Sequence, residues 1–154
     1  MRLQQILVGL QSFQVAILLL HDWVPLAPLN DVRAARRGHP LKLIFLATVV
    51  SSLLPSIGLV LSLRYLKSGW PSWLYLYLSV AYGFLFAGEL EAWWVPYLLW
   101  PQPKRATQYE EMYGNTWAFL PTHNGIRINA LHLALHAGTL ATLVVLGFHF
   151  VVGT

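Results

Sequence analysis

Cysteine is absent from the 154 residues, which excludes disulfides, thiolate metal sites and thiol redox chemistry. Charge is scarce. Asp, Glu, Lys and Arg make up 10% of the chain, against about 25% in a soluble domain. So few charges cannot cover the surface of a soluble domain of this length. Internal repeats and low-complexity tracts are missing. No Gly-rich phosphate loop follows a strand, no G-x-S-x-G occurs, and Ser12 and Ser72 have no evident base partner.

Apolar residues are plentiful, at 56% with a mean hydropathy of +0.55. They gather into four runs of the length a bilayer demands, about 20 residues per helix. The expected fold is all-α: a four-transmembrane-helix bundle forming a single membrane domain over 1–154, with helices near 3–24, 41–65, 72–99 and 126–152. The first run follows Arg2 and ends in His21-Asp22-Trp23 without a small-x-small cleavage pattern, so it reads as a retained helix. Pro40 suits the first turn of the second helix, and Pro55 should kink that helix and free the Ser51 carbonyl.

The connections differ in kind. Lys67-Ser68-Gly69-Trp70-Pro71 is a tight turn. Between the first two helices, Asn30-Asp31 can cap a basic turn, Val32 to Arg37, that Gly38 closes; this describes a short interfacial helix. The last connection, 100–125, is long for a plain loop. Thr107 and Glu110 have capping-box spacing and Gly114 can end that helix. Tyr109, Tyr113, Trp117 and Phe119 would let it lie on the membrane or fold under the bundle as a lid.

The net charge of +4 sits in these connections and reads as topology and contact with membrane lipids, not as nucleic-acid binding. Arg33, Arg36, Arg37, Lys42, Lys104, Arg105 and Arg127 fall on one side; Arg2, Arg64 and Lys67 fall on the other. The positive-inside rule then puts both long connections in the cytoplasm and both termini outside.

Polar residues inside a membrane are costly and functional by default. In the fourth helix Asn129, His132, His136 and Thr139 are spaced three, four and three, which places them on one face beside small Ala130, Ala134 and Gly138. In the first helix Gln4, Gln11, Gln14 and His21 form a second stripe. In the third, Glu89 and Glu91 point about 200° apart. Glu91 continues the small residues Gly83 and Ala87, which suits a packed interior; Glu89 continues aromatic Tyr82, Phe86 and Trp93. With a rise of about 1.5 Å per residue, Glu91 lies about 12 Å below Leu99, and His136 and His132 about 13 and 8 Å from Arg127. His21, Asp22, Glu91, His132 and His136 can therefore converge in the cytoplasmic half.

Several readings fit this cluster. His132, His136 and Glu91 make a His₂-carboxylate set for Zn or Fe, although H-x-x-x-H alone is a weak motif. Alternatively His21, Asp22, Glu89, Glu91, Asn129, His132 and His136 line a cavity that binds a small or lipidic molecule or does acid–base chemistry on it, with Trp93, Trp94, Tyr97 and Trp100 near its entrance. An ion- or proton-linked transporter would need a homo-oligomer. A structural or assembly role, with stripes that only hold helices together, also fits.

Three strings carry a resemblance: 20–26 (LHDWVPL), 29–32 (LNDV) and 124–132 (NGIRINALH). They resemble a group of small bacterial integral membrane proteins with no assigned function, over nearly the whole chain. This implies a bacterial inner membrane and supplies no activity. By size and helix number the chain is also similar to the emopamil-binding proteins, which hold His and Glu in a membrane cavity; that likeness is one of architecture alone.

Overall fold

The computed structural model describes residues 3–152, and every regular element among them is helical. The elements are α1 (Leu3–Leu20), α2 (Val32–Gly38), α3 (Leu41–Tyr65), α4 (Ser72–Glu89), a π-helical turn (Leu90–Trp94), α5 (Val95–Leu98), α6 (Pro103–Tyr113) and α7 (Ala130–Val152). Four helical stretches are long and apolar enough to cross a membrane: Leu3–Leu20, Leu41–Tyr65, Ser72–Leu98 and Ala130–Val151.

These four close into a bundle. α1 packs against α3 and α7, and α4 packs against the same two, so α1 and α4 sit on a diagonal. Close approach depends on two glycines. A Cβ at Gly58 would meet Leu78 at 2.8 Å, and one at Gly138 would meet Gln14 at 3.3 Å. At the end formed by the start of α1, Leu7, Leu74, Leu78, Tyr82 and Leu146 are buried together with Trp70. The indole of Trp70 donates to the Ser62 carbonyl at 3.0 Å, and the Ser62 hydroxyl donates to Gln11 Oε1 at 3.1 Å. The outward faces are apolar, with Phe45, Val50, Val60, Phe84, Val144 and Phe148 exposed.

The opposite end is irregular. α1 stops at Leu20, earlier than the expected 24, because Asn30 takes over its terminus: the Asn30 amide donates to the His21 and Val24 carbonyls and accepts from Leu26 N–H. Asp31 caps α2 as the sequence suggests, accepting from Ala34 N–H at 2.9 Å. α6 begins at Pro103, four residues before the expected cap, and Thr107 instead donates back to the Pro103 carbonyl at 3.1 Å. Gly114 follows the last turn of α6 as expected. α7 begins at Ala130, not near 126. Ile126 and Ile128 are fully buried in a tight turn and extended segment, where Asn124 and Gly125 both adopt positive φ. Asn-Gly is the pair that tolerates this best. Arg2, one of the three basic residues on the sparsely charged side, lies outside the described residues.

Candidate functional site

The site is organised by a defect in the third long helix. Pro96 has no N–H to give to Ala92, four residues earlier. The helix widens to a π turn just before it, and the Val95 N–H bonds to the Leu90 carbonyl. This frees the carbonyls of Glu91 and Ala92. The Arg105 guanidinium on α6 takes both, at 2.8 and 3.1 Å, and the Tyr109 hydroxyl donates to Ala92 at 3.0 Å. α6 is thus latched onto the bundle, with α2 packed beside it.

The π turn also aims Trp93 inward. Its ring centroid lies 4.3 Å from Tyr109, 5.2 Å from Tyr113 and 4.3 Å from His132. Burial pushes the Tyr109 phenol up to about 12, an effect that Arg105 opposes and Glu91 reinforces. The Tyr113 phenol is also raised by burial, with Asp22 and Tyr109 adding to the shift. Both stay neutral under the bundle. Trp117 and Phe119 point outward, so the long connection is half lid and half exposed surface.

Between α1, α3, α4 and α7 lies a cavity of about 900 Å³. Its polar wall carries His21, Ser51, Glu89, Glu91, His132 and His136; the rest is largely apolar. Val50, Leu54 and Phe84 line it while exposed on the outer face, so it opens sideways between α3 and α4.

Each polar group is held by named partners. Asn129 caps α7: its Oδ1 accepts His132 N–H at 2.9 Å, and its amide N–H donates to the Leu29 carbonyl at 3.3 Å. The same Oδ1 lies 2.7 Å from His132 Nδ1. A carbonyl oxygen only accepts, so Nδ1 bears the hydrogen and Nε2 keeps its lone pair. His136 is the reverse case. Its Nδ1 faces the Trp94 indole N–H at 3.1 Å, which only donates, so the neutral ring carries its hydrogen on Nε2. One imidazole therefore offers an acceptor and its neighbour, with ring centroids 6.2 Å apart, offers a donor. His21 stands edge-on to His132 at 5.4 Å, with Nδ1 donating to Ile17 O at 2.9 Å and Nε2 3.2 Å from Asp22 Oδ2.

Glu89 is 6% exposed, on the same face of α4 as Tyr75, Leu78 and Tyr82. One carboxyl oxygen lies 2.8 Å from the Thr139 hydroxyl; the other, Oε2, is buried without a partner. Glu91 is different. Its side chain is 68% exposed and paired with Arg105 at 3.0 Å. The buried carboxylate is therefore Glu89, while Glu91, expected in the cavity with it, stays at the cavity's exposed edge. The interior face of this helix is its aromatic one, because large rings fill the space, while Gly83 and Ala87 lie on less buried positions.

The set of His132, His136 and Glu91 for Zn or Fe is corrected on the same ground. Glu91 turns out to Arg105, and one nitrogen of each histidine is engaged by Asn129 or Trp94. Among the described residues no three His, Asp or Glu side chains converge to hold a metal ion. Of the other expected residues, His21, Glu89, His132 and His136 meet in the cavity; Asp22 acts on His21 and Asn129 on His132. Arg105 was expected only as one of the charges that set the topology, although a proline two residues short of a helix end signals carbonyls in need of donors. Comparison with family models, curated proteins and solved structures finds no match to this chain.

Proposed function

We propose that this is an integral membrane protein whose cavity binds a small, mostly apolar molecule and reads one polar group on it through Glu89, His132 and His136. The observation that carries the reading is Glu89 Oε2, buried without a partner on the wall of a largely apolar chamber. Leaving a buried polar atom unpaired costs about 1–3 kcal/mol, which a bound donor would recover. The sideways opening suits a ligand that arrives through lipid. Acid–base chemistry on that ligand is within reach of the pair of imidazoles, one accepting and one donating.

In this reading the chain crosses a bacterial inner membrane four times, with both termini outside and the α2 and α6 connections at the cytoplasmic interface. Support comes from the apolar outward faces and from the Lys and Arg count. Membrane lipids are then the immediate partners.

Native mass spectrometry of detergent-purified protein tests the site. Glu89→Gln keeps the shape and can still bond Thr139. The wild type and Glu91→Gln should retain a small-molecule adduct that Glu89→Gln loses. Full occupancy in Glu89→Gln would overturn the assignment. A structural role is favoured instead if no protein retains an adduct, an outcome for which the Thr139–Gln14–Thr142 hydrogen bonds provide a basis.

A further inference from the structure

A second cavity, of about 410 Å³, lies on the lid side of the molecule, lined by Pro28, Asn115, Thr116, Trp117 and Arg127. We propose that Arg127, with Asn115 and Trp117, forms a binding site for a phosphate anion, carried on a phospholipid headgroup or free in solution.

The charge balance points there. Arg127 spends one hydrogen bond on the Thr116 carbonyl, at 3.1 Å, and its Nε is buried without a partner. The ion pairs among the described residues are His21–Asp22 and Arg105–Glu91, so no described carboxylate neutralises this guanidinium. No carboxylate lines the pocket either. The Thr116 hydroxyl is spent on the Tyr113 carbonyl at 2.6 Å. What remains for a ligand is the guanidinium, the exposed Asn115 amide and the Trp117 indole, a set rich in donors. A half-buried cation without a counter-ion selects an anion, and the planar fork of Arg matches phosphate oxygens.

The frame is fixed before any ligand arrives. Trp117 N–H donates to the Pro28 carbonyl at 2.8 Å, and the Trp117 carbonyl accepts from Ala130 N–H at 2.7 Å, so loop, lid and α7 hold one another. Trp117 and Phe119 are exposed, with ring centroids 5.0 Å apart. Aromatic side chains of this kind sit at headgroup depth, where lipid phosphates are found. The lipid source rests on the membrane reading above; the anion site does not.

The test uses the full chain in detergent, titrated with phosphatidylglycerol, with diacylglycerol, which lacks the phosphate, and with inorganic phosphate, adducts being read by native mass spectrometry. Arg127→Ala and Asn115→Asp, the latter setting a carboxylate beside the guanidinium, should each weaken the phosphatidylglycerol adduct by about tenfold, the scale of one charge-assisted contact. Diacylglycerol uptake should not change. Displacement of the lipid adduct by inorganic phosphate supports a site for the anion itself; failure to displace it supports the lipid-borne anion. Wild-type affinity for phosphatidylglycerol in the Asn115→Asp protein, whose contacts to Thr116 are left intact, would overturn the proposal. So would equal losses of both lipids in the two variants.

Discussion

The Glu89 carboxyl on α4 and the Thr139 hydroxyl on α7 lie 2.8 Å apart, and the same hydroxyl lies 3.0 Å from Gln14 Oε1 on α1. Three helices meet at one oxygen. The Gln14 amide has both hydrogens engaged, on the Leu10 carbonyl and on Thr142, so its Oε1 depends on Thr139. Thr139→Val keeps the volume and removes the hydroxyl. It should destabilise the protein by about 1–2 kcal/mol, because the buried acceptors Gln14 Oε1, Glu89 Oε1 and the Leu135 carbonyl lose the one hydroxyl hydrogen they share. Thermal melts in detergent measure this, and a Thr139→Ser protein should recover most of the loss.

The seven-to-three division of Lys and Arg predicts sidedness. Cysteines introduced as Arg36→Cys, in α2, and Lys67→Cys, in the turn before α4, should react with an impermeant thiol reagent from opposite faces of sealed membranes. Both positions are exposed. Equal labelling from one face would sink the four-span topology.

Packing and ligand roles for the two histidines predict different results. His132→Leu combined with His136→Leu removes two polar rings but leaves the Trp94 indole N–H without its acceptor, so a ligand site predicts only a small change in stability. It also predicts loss of stabilisation by extracted lipid, which scales as RT ln(1 + [L]/Kd). The α7 cap survives, since Asn129 Oδ1 bonds the backbone N–H of position 132. Lower stability with no lipid response in either protein would favour the structural role.

Gly125 should tolerate no side chain. Its φ is +74°, and an added Cβ would lie 2.8 Å from the Ala106 Cβ on α6. Gly125→Ala should cost about 1–3 kcal/mol and loosen α6 selectively, seen as faster hydrogen exchange over 103–113 than over α1.

Alkaline pH should open the lid first. Tyr109 is raised from 10.0 to about 12, so its neutral form is the one that the folded state favours. The stabilisation is complete below the unfolded value, shrinks as pH rises above it, and is gone beyond about 12. Tyrosinate absorbance should rise together with hydrogen exchange in α6. Tyr109→Phe removes the ionisation and should shift this loosening to higher pH; an unchanged pH profile would exclude Tyr109 as its cause.

Much of the molecule was legible in the chain alone. Four apolar runs make four long helices, because length and apolarity are local properties. The polar stripe of α7 and that of α1 follow from a 3.6-residue period, and Gln14, His132, His136 and Thr139 are buried as that period implies. Asp31 and Gly114 mark helix ends through local hydrogen bonding. The choice between Glu89 and Glu91 was not local. Two residues on opposite sides of one helix look equally suited to an interior until the partners arrive: α7 brings Thr139 to one, and α6 brings Arg105 to the other. The lid was likewise decided in three dimensions. Pro96 releases carbonyls wherever it sits, but only the returning chain places Arg105 and Tyr109 close enough to take them. Sequence set the spans and the residues available to them; tertiary contact decided which carboxylate is inside, because burial depends on what stands across the gap.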